Sequence, residues 1–207
     1  MDFKLNGVSL REATFKGRDA LEVTMPSSAY QDPQTEALLD RDYMAWLPTA
    51  FRDGIIEVDV ASVLAPDAPS YARGFIGLAF RIGDDQRFET VYLRPTNSQA
   101  DDQVRRNRTI QYAAYPDFTF PRLRLEEPGK YETYADISMD EWINMRLEIA
   151  GARAELFIND AASPVLNVTD LKLGAARSGG IGLWIEAGTI GYFSGLKIQP
   201  QSASSAD

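Results

Sequence analysis

Apolar and polar residues alternate along much of the chain. From Ile143 onward, every second residue of the segment 142–149 is apolar, and the residues between them are polar. Successive side chains of a strand point to opposite faces, so this pattern predicts a strand with one buried and one solvated face. The alternation returns in residues 154–158, beyond Ala150-Gly151. A short link containing glycine between two such runs predicts a tight antiparallel hairpin.

The same alternation recurs on both sides of this hairpin. A second hairpin is predicted where Lys16-Gly17-Arg18-Asp19 separates the runs 11–15 and 20–24. Further strands are predicted over residues 56–60, 76–82, 88–94, 109–115, 180–186 and 192–198. About a dozen short strands with turn signals between them indicate an all-β fold, either a sandwich or a barrel.

Two long segments, residues 95–107 and 116–130, break this rhythm. Loops of this length in a compact domain usually carry function or are disordered. A single short helix is predicted over Pro33–Leu39. The chain has 207 residues, which one core can hold. We therefore expect one domain over residues 1–198 and a small, polar, disordered tail over residues 199–207.

The composition limits the chemistry that the chain can perform. It contains no histidine and no cysteine, which excludes Ser-His-Asp and Cys-His relays, Cys/His zinc sites and disulfides. Proton transfer would have to use Asp, Glu, Lys or Tyr. No cofactor is expected. A metal would have to be a hard ion such as calcium, for which Asp84-Asp85 and Asp101-Asp102 are candidate ligands.

Charge is unevenly distributed along the chain. The net charge is −9, yet residues 86–134 carry eight basic and seven acidic side chains. This segment also holds eight aromatic residues and seven arginines, namely Arg87, Arg94, Arg105, Arg106, Arg108, Arg122 and Arg124. Arginine beside aromatic residues is typical of recognition surfaces. Alternatively, the long side chains pack their stems on the sheet and carry no function.

Short motifs follow one another in the second half of the chain. They are Ser138-Met-Asp-Glu-Trp-Ile-Asn-Met-Arg-Leu-Glu-Ile, Ala154-Glu-Leu-Phe-Ile-Asn159, Ser163-Pro-Val-Leu, Leu171-Lys-Leu-Gly, Ser178-Gly-Gly-Ile-Gly-Leu-Trp184 and Gly191-Tyr-Phe-Ser-Gly-Leu-Lys197. Their order resembles that of the concanavalin A-like lectin/glucanase jelly rolls. It is most similar to laminin-G-like domains and to bacterial domains related to 3-keto-disaccharide hydrolases. The resemblance covers Phe51 to Ile198 and implies an antiparallel jelly-roll β-sandwich.

The resembled superfamily holds several kinds of function, so the resemblance leaves three hypotheses open. The leading one is a carbohydrate-recognition domain that binds a saccharide on the concave sheet. The second is a carbohydrate-active enzyme, a glycoside hydrolase or lyase that uses Asp, Glu or Tyr. The third is a laminin-G-like protein-interaction module, which predicts an exposed apolar patch.

Glu57 and Asp59 are the candidate catalytic residues of the enzyme hypothesis. Retaining glucanases of the resembled superfamily carry Glu-x-Asp-x-Glu or Glu-x-Asp-x-x-Glu on one strand, as nucleophile, helper and acid. The first two acids match Glu57 and Asp59, but Ala61 and Ser62 stand where the third would be. The proton donor would have to come from another strand, for example from Glu89. Alternatively, both acids are ordinary outward residues of a half-buried strand.

The leading hypothesis places the ligand beside residues 92–115. If Val91 and Leu93 face the core, then Tyr92 and Arg94 face outward, and Glu57, Asp59 and Arg81 are candidates for the same surface. Tyrosine can stack on sugars, while Arg, Asn and Gln bind hydroxyls or carboxylates in fixed directions. Alternatively, Arg94 pairs with Glu57 or Asp59. The predicted ligand-binding residues are Tyr92, Arg94, Asn97, Arg106, Gln111 and Tyr115.

The expected partner is a saccharide or another small polar ligand. The negative net charge argues against general affinity for nucleic acid or anionic membranes. No apolar run reaches the roughly 18 residues of a membrane-spanning helix. The residues that follow Met1 lack a basic region before an apolar stretch, so no signal peptide is predicted. A cytoplasmic location is expected unless a leader has been removed.

Overall fold

Fourteen strands form two antiparallel sheets in a computed structural model that describes residues 1–201. The strands are β1 (Lys4–Asn6), β2 (Ser9–Phe15), β3 (Arg18–Thr24), β4 (Met44–Phe51), β5 (Gly54–Leu64), β6 (Ile76–Ile82), β7 (Phe88–Leu93), β8 (Ile110–Tyr115), β9 (Glu132–Thr133), β10 (Ile143–Ala150), β11 (Arg153–Ile158), β12 (Leu166–Val168), β13 (Gly179–Ile185) and β14 (Thr189–Pro200). Sheet A has the order β1-β4-β13-β6-β7-β8-β9, and sheet B has the order β12-β11-β10-β5-β14-β3-β2. This confirms the predicted jelly-roll β-sandwich.

The alternating pattern of the sequence sets the register of sheet B. Met145 of β10 lies opposite Val58 of β5 and Ile158 of β11, and all three side chains are buried. A register slip of one residue would turn these apolar side chains to the solvent, so the pattern fixes the pairing. Both predicted hairpins are confirmed by the pairing of β2 with β3 and of β10 with β11.

The central strands of sheet A are buried on both of their faces. Its inner face packs against sheet B through residues such as Leu78 and Val91. Its outer face carries a second, aromatic cluster that includes Phe88, Tyr92 and Trp184. Every residue of β6 and β7 is therefore buried, unlike in the half-solvated strands of sheet B. Side chains of the strands themselves therefore cover the central part of this outer face.

The two segments that interrupt the alternation contain short helices. They are α1 (Pro95–Ser98), α2 (Gln103–Arg106) and α3 (Phe120–Glu126). The helix predicted over Pro33–Leu39 is wrong. Only one turn forms there, in which the carbonyl of Asp32 accepts from the amides of Thr35 and Glu36. Residues 33–37 are all exposed, so the segment has no apolar face that packing could stabilise.

The last strand, β14, pairs with both β5 and β3 in the middle of sheet B. It includes Gln199 and Pro200, which the sequence assigns to the tail, and the amide of Gln201 donates to the carbonyl of Asp53. The remainder of the predicted tail, residues 202–207, lies outside the described residues. No helix within residues 1–201 is long and apolar enough to cross a lipid bilayer.

Candidate functional site

A cavity of about 660 Å³ opens on the outer face of sheet A, where β7 ends and β6 begins. Its walls come from residues 31–40, from the segment before β6, from α1 and α2, and from the start of α3. We call it the arginine cavity, because its lining includes Arg73, Arg94, Arg105, Arg108 and Arg124. The volume falls in the range of about 300–1,000 Å³ that is usual for small-molecule sites.

Aromatic side chains supply the apolar part of the cavity wall. They are Tyr71, Phe75, Tyr92 and Phe120. Tyr92 lies edge-on to Phe75, with ring centroids 6.4 Å apart, and packs against the buried ring of Trp184 at 4.6 Å. The guanidinium groups of Arg94 and Arg124 lie over the ring of Phe120, at 5.5 and 4.6 Å from its centroid. Cations over aromatic faces hold these long side chains in place.

A hydrogen-bonded chain links Arg94, Tyr92 and Asp40 beneath the cavity. Arg94 Nη2 donates to Tyr92 Oη at 2.6 Å, and Tyr92 Oη donates to Asp40 Oδ1 at 2.5 Å. The other carboxylate oxygen, Asp40 Oδ2, accepts from the amide of Phe120 at 2.7 Å. These hydrogen bonds therefore connect the end of β7 with α3 and with the segment before β4.

Burial is the main cause of the pKa shifts of Asp40 and Tyr92. It raises the pKa of Asp40 above its ordinary value, although the bonds from Tyr92 and Phe120 and the charge of Arg94 oppose the shift. Burial also raises the pKa of Tyr92 well above its usual value. Tyr92 therefore keeps its proton at neutral pH and presents a neutral hydroxyl that is already engaged as donor and acceptor.

Arg94, Arg108 and Arg124 converge on the single carboxylate of Glu132. Arg124 Nη2 lies 2.5 Å from Glu132 Oε1, and Arg94 Nη1 lies 3.6 Å from the same oxygen. Arg108 Nε lies 3.6 Å from Glu132 Oε2. Gln111 Oε1 also accepts from Arg94 at 3.3 Å. The single negative charge of Glu132 is thus shared by three guanidinium groups at this wall of the cavity.

The guanidinium groups of Arg73 and Arg105 have only neutral hydrogen-bond partners. Arg73 Nη1 donates to the carbonyls of Ser70 and Ala72, at 2.9 and 2.8 Å. Arg105 Nε donates to Asn97 Oδ1 at 2.8 Å, and its Nη2 donates to a threonine hydroxyl at 3.3 Å. Neither arginine forms an ion pair with a carboxylate anywhere in residues 1–201. Both keep free N–H groups that can bind a ligand.

The acidic residues of the lining are already engaged. Asp40 uses both oxygens as described above, and Asp102 accepts from the amide of Arg105 at 2.7 Å as the N-cap of α2. Both oxygens of Glu186 bind the guanidinium of Arg41, with the longer contact at 3.1 Å, and one also accepts from the amide of Ala187. Apart from the second carboxylate oxygen of the exposed Asp102, the groups that remain available in this cavity are cationic and aromatic.

The structure brings three of the predicted ligand-binding residues to the cavity wall, namely Tyr92, Arg94 and Asn97. Gln111 lies behind the wall and holds Arg94 through its amide oxygen. Arg106 and Tyr115 do not line the cavity. The guanidinium of Arg106 lies over Tyr134 at 5.4 Å, and Tyr115 stacks on Phe88 with ring centroids 5.1 Å apart.

The expectation that Glu57 and Asp59 share a surface with Tyr92 is wrong, because β5 belongs to sheet B and β7 to sheet A. Asn144 Nδ2 donates to Glu57 at 3.3 Å and to Asp59 at 2.9 Å. Asp59 also pairs with Arg18 at 2.8 Å. The two acids therefore lie in a network of outward polar residues on the opposite sheet.

The alternative partners predicted for Arg94 are wrong for the same reason, since Arg94 pairs with Glu132. Arg81 is also absent from the surface, because its side chain is fully buried. It donates to Asp53 and to the carbonyls of Gly151 and Gly174. A positive φ of 55° at Arg81, beside an irregular pairing with β13, turns the side chain inward.

Several lining residues are not among the predicted ligand-binding residues. Arg105, Arg108 and Arg124 lie in the arginine-rich segment 86–134, so the charge distribution gave a signal for them. Asp40 and Arg73 gave none, because they lie in separate loops whose meeting point depends on the tertiary fold. The sequence alone therefore does not show that these two loops meet.

Two of the four candidate calcium ligands, Asp85 and Asp102, are engaged within the protein. Both oxygens of Asp85 bind Arg177, and Asp102 caps α2. Within the described part of the chain, no three Asp or Glu side chains group in a way that could hold a metal ion.

The two sheets define a concanavalin A-like jelly-roll sandwich, and solved structures of this class are similar to the chain. One is the carbohydrate-binding module CBM66 from Bacillus subtilis, with 12% identity, a TM-score of 0.51 and coverage of 94% of this chain and 96% of that one. Another is a Bacillus subtilis protein of unknown function with a galectin-like fold, with 14% identity, a TM-score of 0.56 and coverage of 96% and 98%. At these identities the likeness establishes the fold. No protein-family model and no curated protein matches the chain.

Proposed function

We propose that this protein is a carbohydrate-binding domain and that it holds its saccharide in the arginine cavity. The main support for this proposal is the lining of the cavity, which combines aromatic rings with directed guanidinium donors in one concave site. Sugars present apolar C–H faces and hydroxyl edges, which match rings and N–H donors respectively. The similarity in fold to a carbohydrate-binding module supports this proposal.

The chemistry of the cavity favours binding over hydrolysis. A glycosidase needs two carboxyl groups free to act on the substrate as acid and as base or nucleophile. Here the carboxylates of Asp40 and Glu186 are held by internal hydrogen bonds, and Tyr92 keeps its proton. The open donors belong to arginines, which orient a ligand without exchanging protons near neutral pH.

The proposal is tested by calorimetric titration of the protein with a panel of neutral and acidic oligosaccharides. Phe75→Ala removes a half-buried ring from the cavity, and we expect it to weaken binding by about fivefold or more through lost stacking. Trp46→Ala is the matched control, because it removes a half-buried ring from the same face of sheet A outside the cavity. Thermal unfolding verifies that both variants are folded.

Two results would reject the proposal. One is the absence of binding by any saccharide of the panel to the folded protein. The other is binding that Trp46→Ala abolishes and Phe75→Ala leaves unchanged, which would move the ligand out of the arginine cavity to another part of sheet A.

A further inference from the structure

We infer that the saccharide is acidic, and that its carboxylate binds between Arg73 and Arg105 in the arginine cavity. This inference rests on the proposed function, and it adds the chemical class of the ligand. The class would be uronic acid-containing oligosaccharides. Three features of the cavity support it: two lining arginines lack a charged partner, the cavity carries excess positive charge, and Arg105 is held in place by its loop.

The two arginines have donors to spare. Arg73 directs Nη1 to main-chain carbonyls, which leaves Nε and Nη2 without a partner among residues 1–201. Arg105 uses Nε and Nη2 for neutral side chains and leaves Nη1 free in the same part of the chain. A guanidinium presents its N–H groups as a planar fork that matches a carboxylate. Both side chains are half-buried, so a bound carboxylate would be partly shielded from water.

The cavity and its immediate partners carry an excess of positive charge. Six guanidinium groups, those of the five lining arginines and of Arg41, face only four carboxylates, those of Asp40, Asp102, Glu132 and Glu186. Burial lowers the pKa of Arg73, and the neighbouring charges of Arg105 and Arg94 lower it further. The cations therefore repel one another, and an anion placed between them would relieve that repulsion.

This excess stands out against the rest of the molecule. The chain has a net charge of −9, so its general field repels anions. A local positive cavity in an acidic protein selects an anion by short-range contact, because long-range attraction is absent. A nonspecific polyanion would consequently meet little attraction away from this cavity.

The position of Arg105 is fixed by the surrounding loop. Its guanidinium binds the side-chain oxygen of Asn97, which is 4% exposed. Asn97 Nδ2 in turn donates to the carbonyl of Arg108 at 3.0 Å, and Asp102 caps the helix that carries Arg105. Arg105 is therefore held toward the cavity by the buried side chain of Asn97 and by the cap of its own helix. A preorganised donor of this kind loses little entropy when a ligand binds.

The test compares uronic acid trimers with their own methyl esters, which keep the sugar rings and lose the charge. Trimers of galacturonate, glucuronate, mannuronate and guluronate are titrated into the protein by calorimetry at low and moderate salt. For the trimer that fits, we expect the acid to bind at least tenfold more tightly than its ester. We expect salt to reduce this difference, because the attraction is electrostatic.

Variants then locate the contact. Arg73→Gln and Arg105→Gln should each reduce the affinity for the acid several-fold and leave the affinity for the ester almost unchanged. Arg122→Gln is the matched control, because it removes the same charge from an exposed arginine that pairs with Glu126 on α3. It should change neither affinity. Thermal unfolding confirms that all variants are folded.

The outcomes separate the inference from the proposed function. Equal binding of acid and ester overturns the acidic ligand and leaves the saccharide site standing. Binding of neutral oligosaccharides only has the same consequence. A preference for the acid that Arg73→Gln and Arg105→Gln leave unchanged, or that only Arg122→Gln removes, overturns the placement of the carboxylate between Arg73 and Arg105. Binding of a sulfated trisaccharide without binding of any uronate overturns the claim that the anionic group of the ligand is a carboxylate. Failure of every saccharide to bind overturns both claims.

Discussion

Glu89 shows how a single buried carboxyl group can control stability. Its side chain is fully buried, and it accepts from the amide of Leu173 at 2.8 Å and from the hydroxyl of Tyr112 at 3.2 Å. Burial raises its pKa to about 7, against an ordinary value near 4.5. The folded state therefore binds a proton in a pH range where the unfolded state has lost it. Stability must fall as the pH rises through that range.

We expect Glu89→Gln to remove this pH dependence. In the unmodified protein, Glu89 should contribute a loss of up to about 3 kcal/mol in unfolding free energy between its unfolded and folded pKa values. Glutamine has nearly the same shape as glutamate and stays neutral. The unfolding free energy of the variant should therefore change less between pH 4.5 and 7 than that of the unmodified protein. Urea unfolding at several pH values measures the difference between the two proteins. Parallel stability curves would show that Glu89 does not titrate in this way.

Asp40 supports the arginine cavity from beneath. Asp40→Ala leaves the hydroxyl of Tyr92 and the amide of Phe120 without their acceptor. Each unsatisfied buried donor costs about 1–3 kcal/mol, and loss of the carboxylate's own desolvation offsets part of that cost. We expect a net destabilisation of about 2 kcal/mol by urea unfolding. Asp101→Ala, at an exposed position, should change stability by less than about 0.5 kcal/mol. Equal destabilisation by Asp40→Ala and Asp101→Ala would show that Asp40 does not stabilise the cavity in this way.

At the scale of elements, the close approach of β6 and β7 positions Tyr92. Gly77 lies opposite Tyr92 in the register, and a Cβ at Gly77 would lie 2.3 Å from the carbonyl oxygen of Val91 and 2.5 Å from Cα of Tyr92. These are backbone atoms that cannot rotate away. A side chain at this position would therefore separate the strands and displace the ring that lines the cavity.

We expect Gly77→Ala to destabilise the protein by at least about 2 kcal/mol through overpacking. It should also weaken any ligand bound in the arginine cavity. Gly17→Ala is the control, because its Cβ would meet no atom within 4 Å, and only its positive φ of 77° opposes the change. That strain costs about 1 kcal/mol. Guanidinium unfolding ranks the two variants, and a larger effect at Gly17 would contradict this account.

The elements themselves were well predicted wherever burial follows a period of two. The alternation from Ile143 onward marks β10, because one of its faces is buried and the other is polar. The helix predicted over Pro33–Leu39 failed, because local propensity without an apolar face does not stabilise a helix. The sequence marks segments 95–107 and 116–130 only as irregular, because their short helices contain too few residues to show a helical period.

The site was predicted only in part, because parity along a strand does not reveal which sheet the strand joins. Tyr92 and Arg94 were correctly expected on an outer face, but Glu57 was placed on the same face and lies on the opposite sheet. The cavity is closed by loops distant in sequence, such as those with Asp40 and Arg73. Their convergence depends on sheet order, which no local pattern encodes.

At the scale of the whole molecule, the last strand completes the middle of sheet B. β14 lies between β5 and β3, and its pairing with β5 extends from Thr189 to Pro200. Phe193 of this strand is buried in the core between the sheets. Removal of β14 would separate β2 and β3 from the rest of the sheet and expose two unpaired edges.

We therefore expect a fragment that ends at Ala187 to lack cooperative unfolding and near-ultraviolet circular dichroism. A synthetic peptide of residues 188–201, added in trans, should restore both, because it supplies the missing central strand. The full chain is the control in each measurement. A fragment that unfolds cooperatively without the peptide would show that sheet B does not depend on β14.

The central place of β14 has a consequence for synthesis in the cell. Residues near the amino terminus emerge from the ribosome first, but β3 has no partner on one side until the final strand has been translated. Sheet B therefore closes only after release of residues 189–200 from the exit tunnel. Until then its open strand edges are exposed to pairing with other nascent chains, which is a usual route to aggregation. Slow translation would lengthen that exposure, and a chaperone that shields strand edges should raise the yield of folded protein.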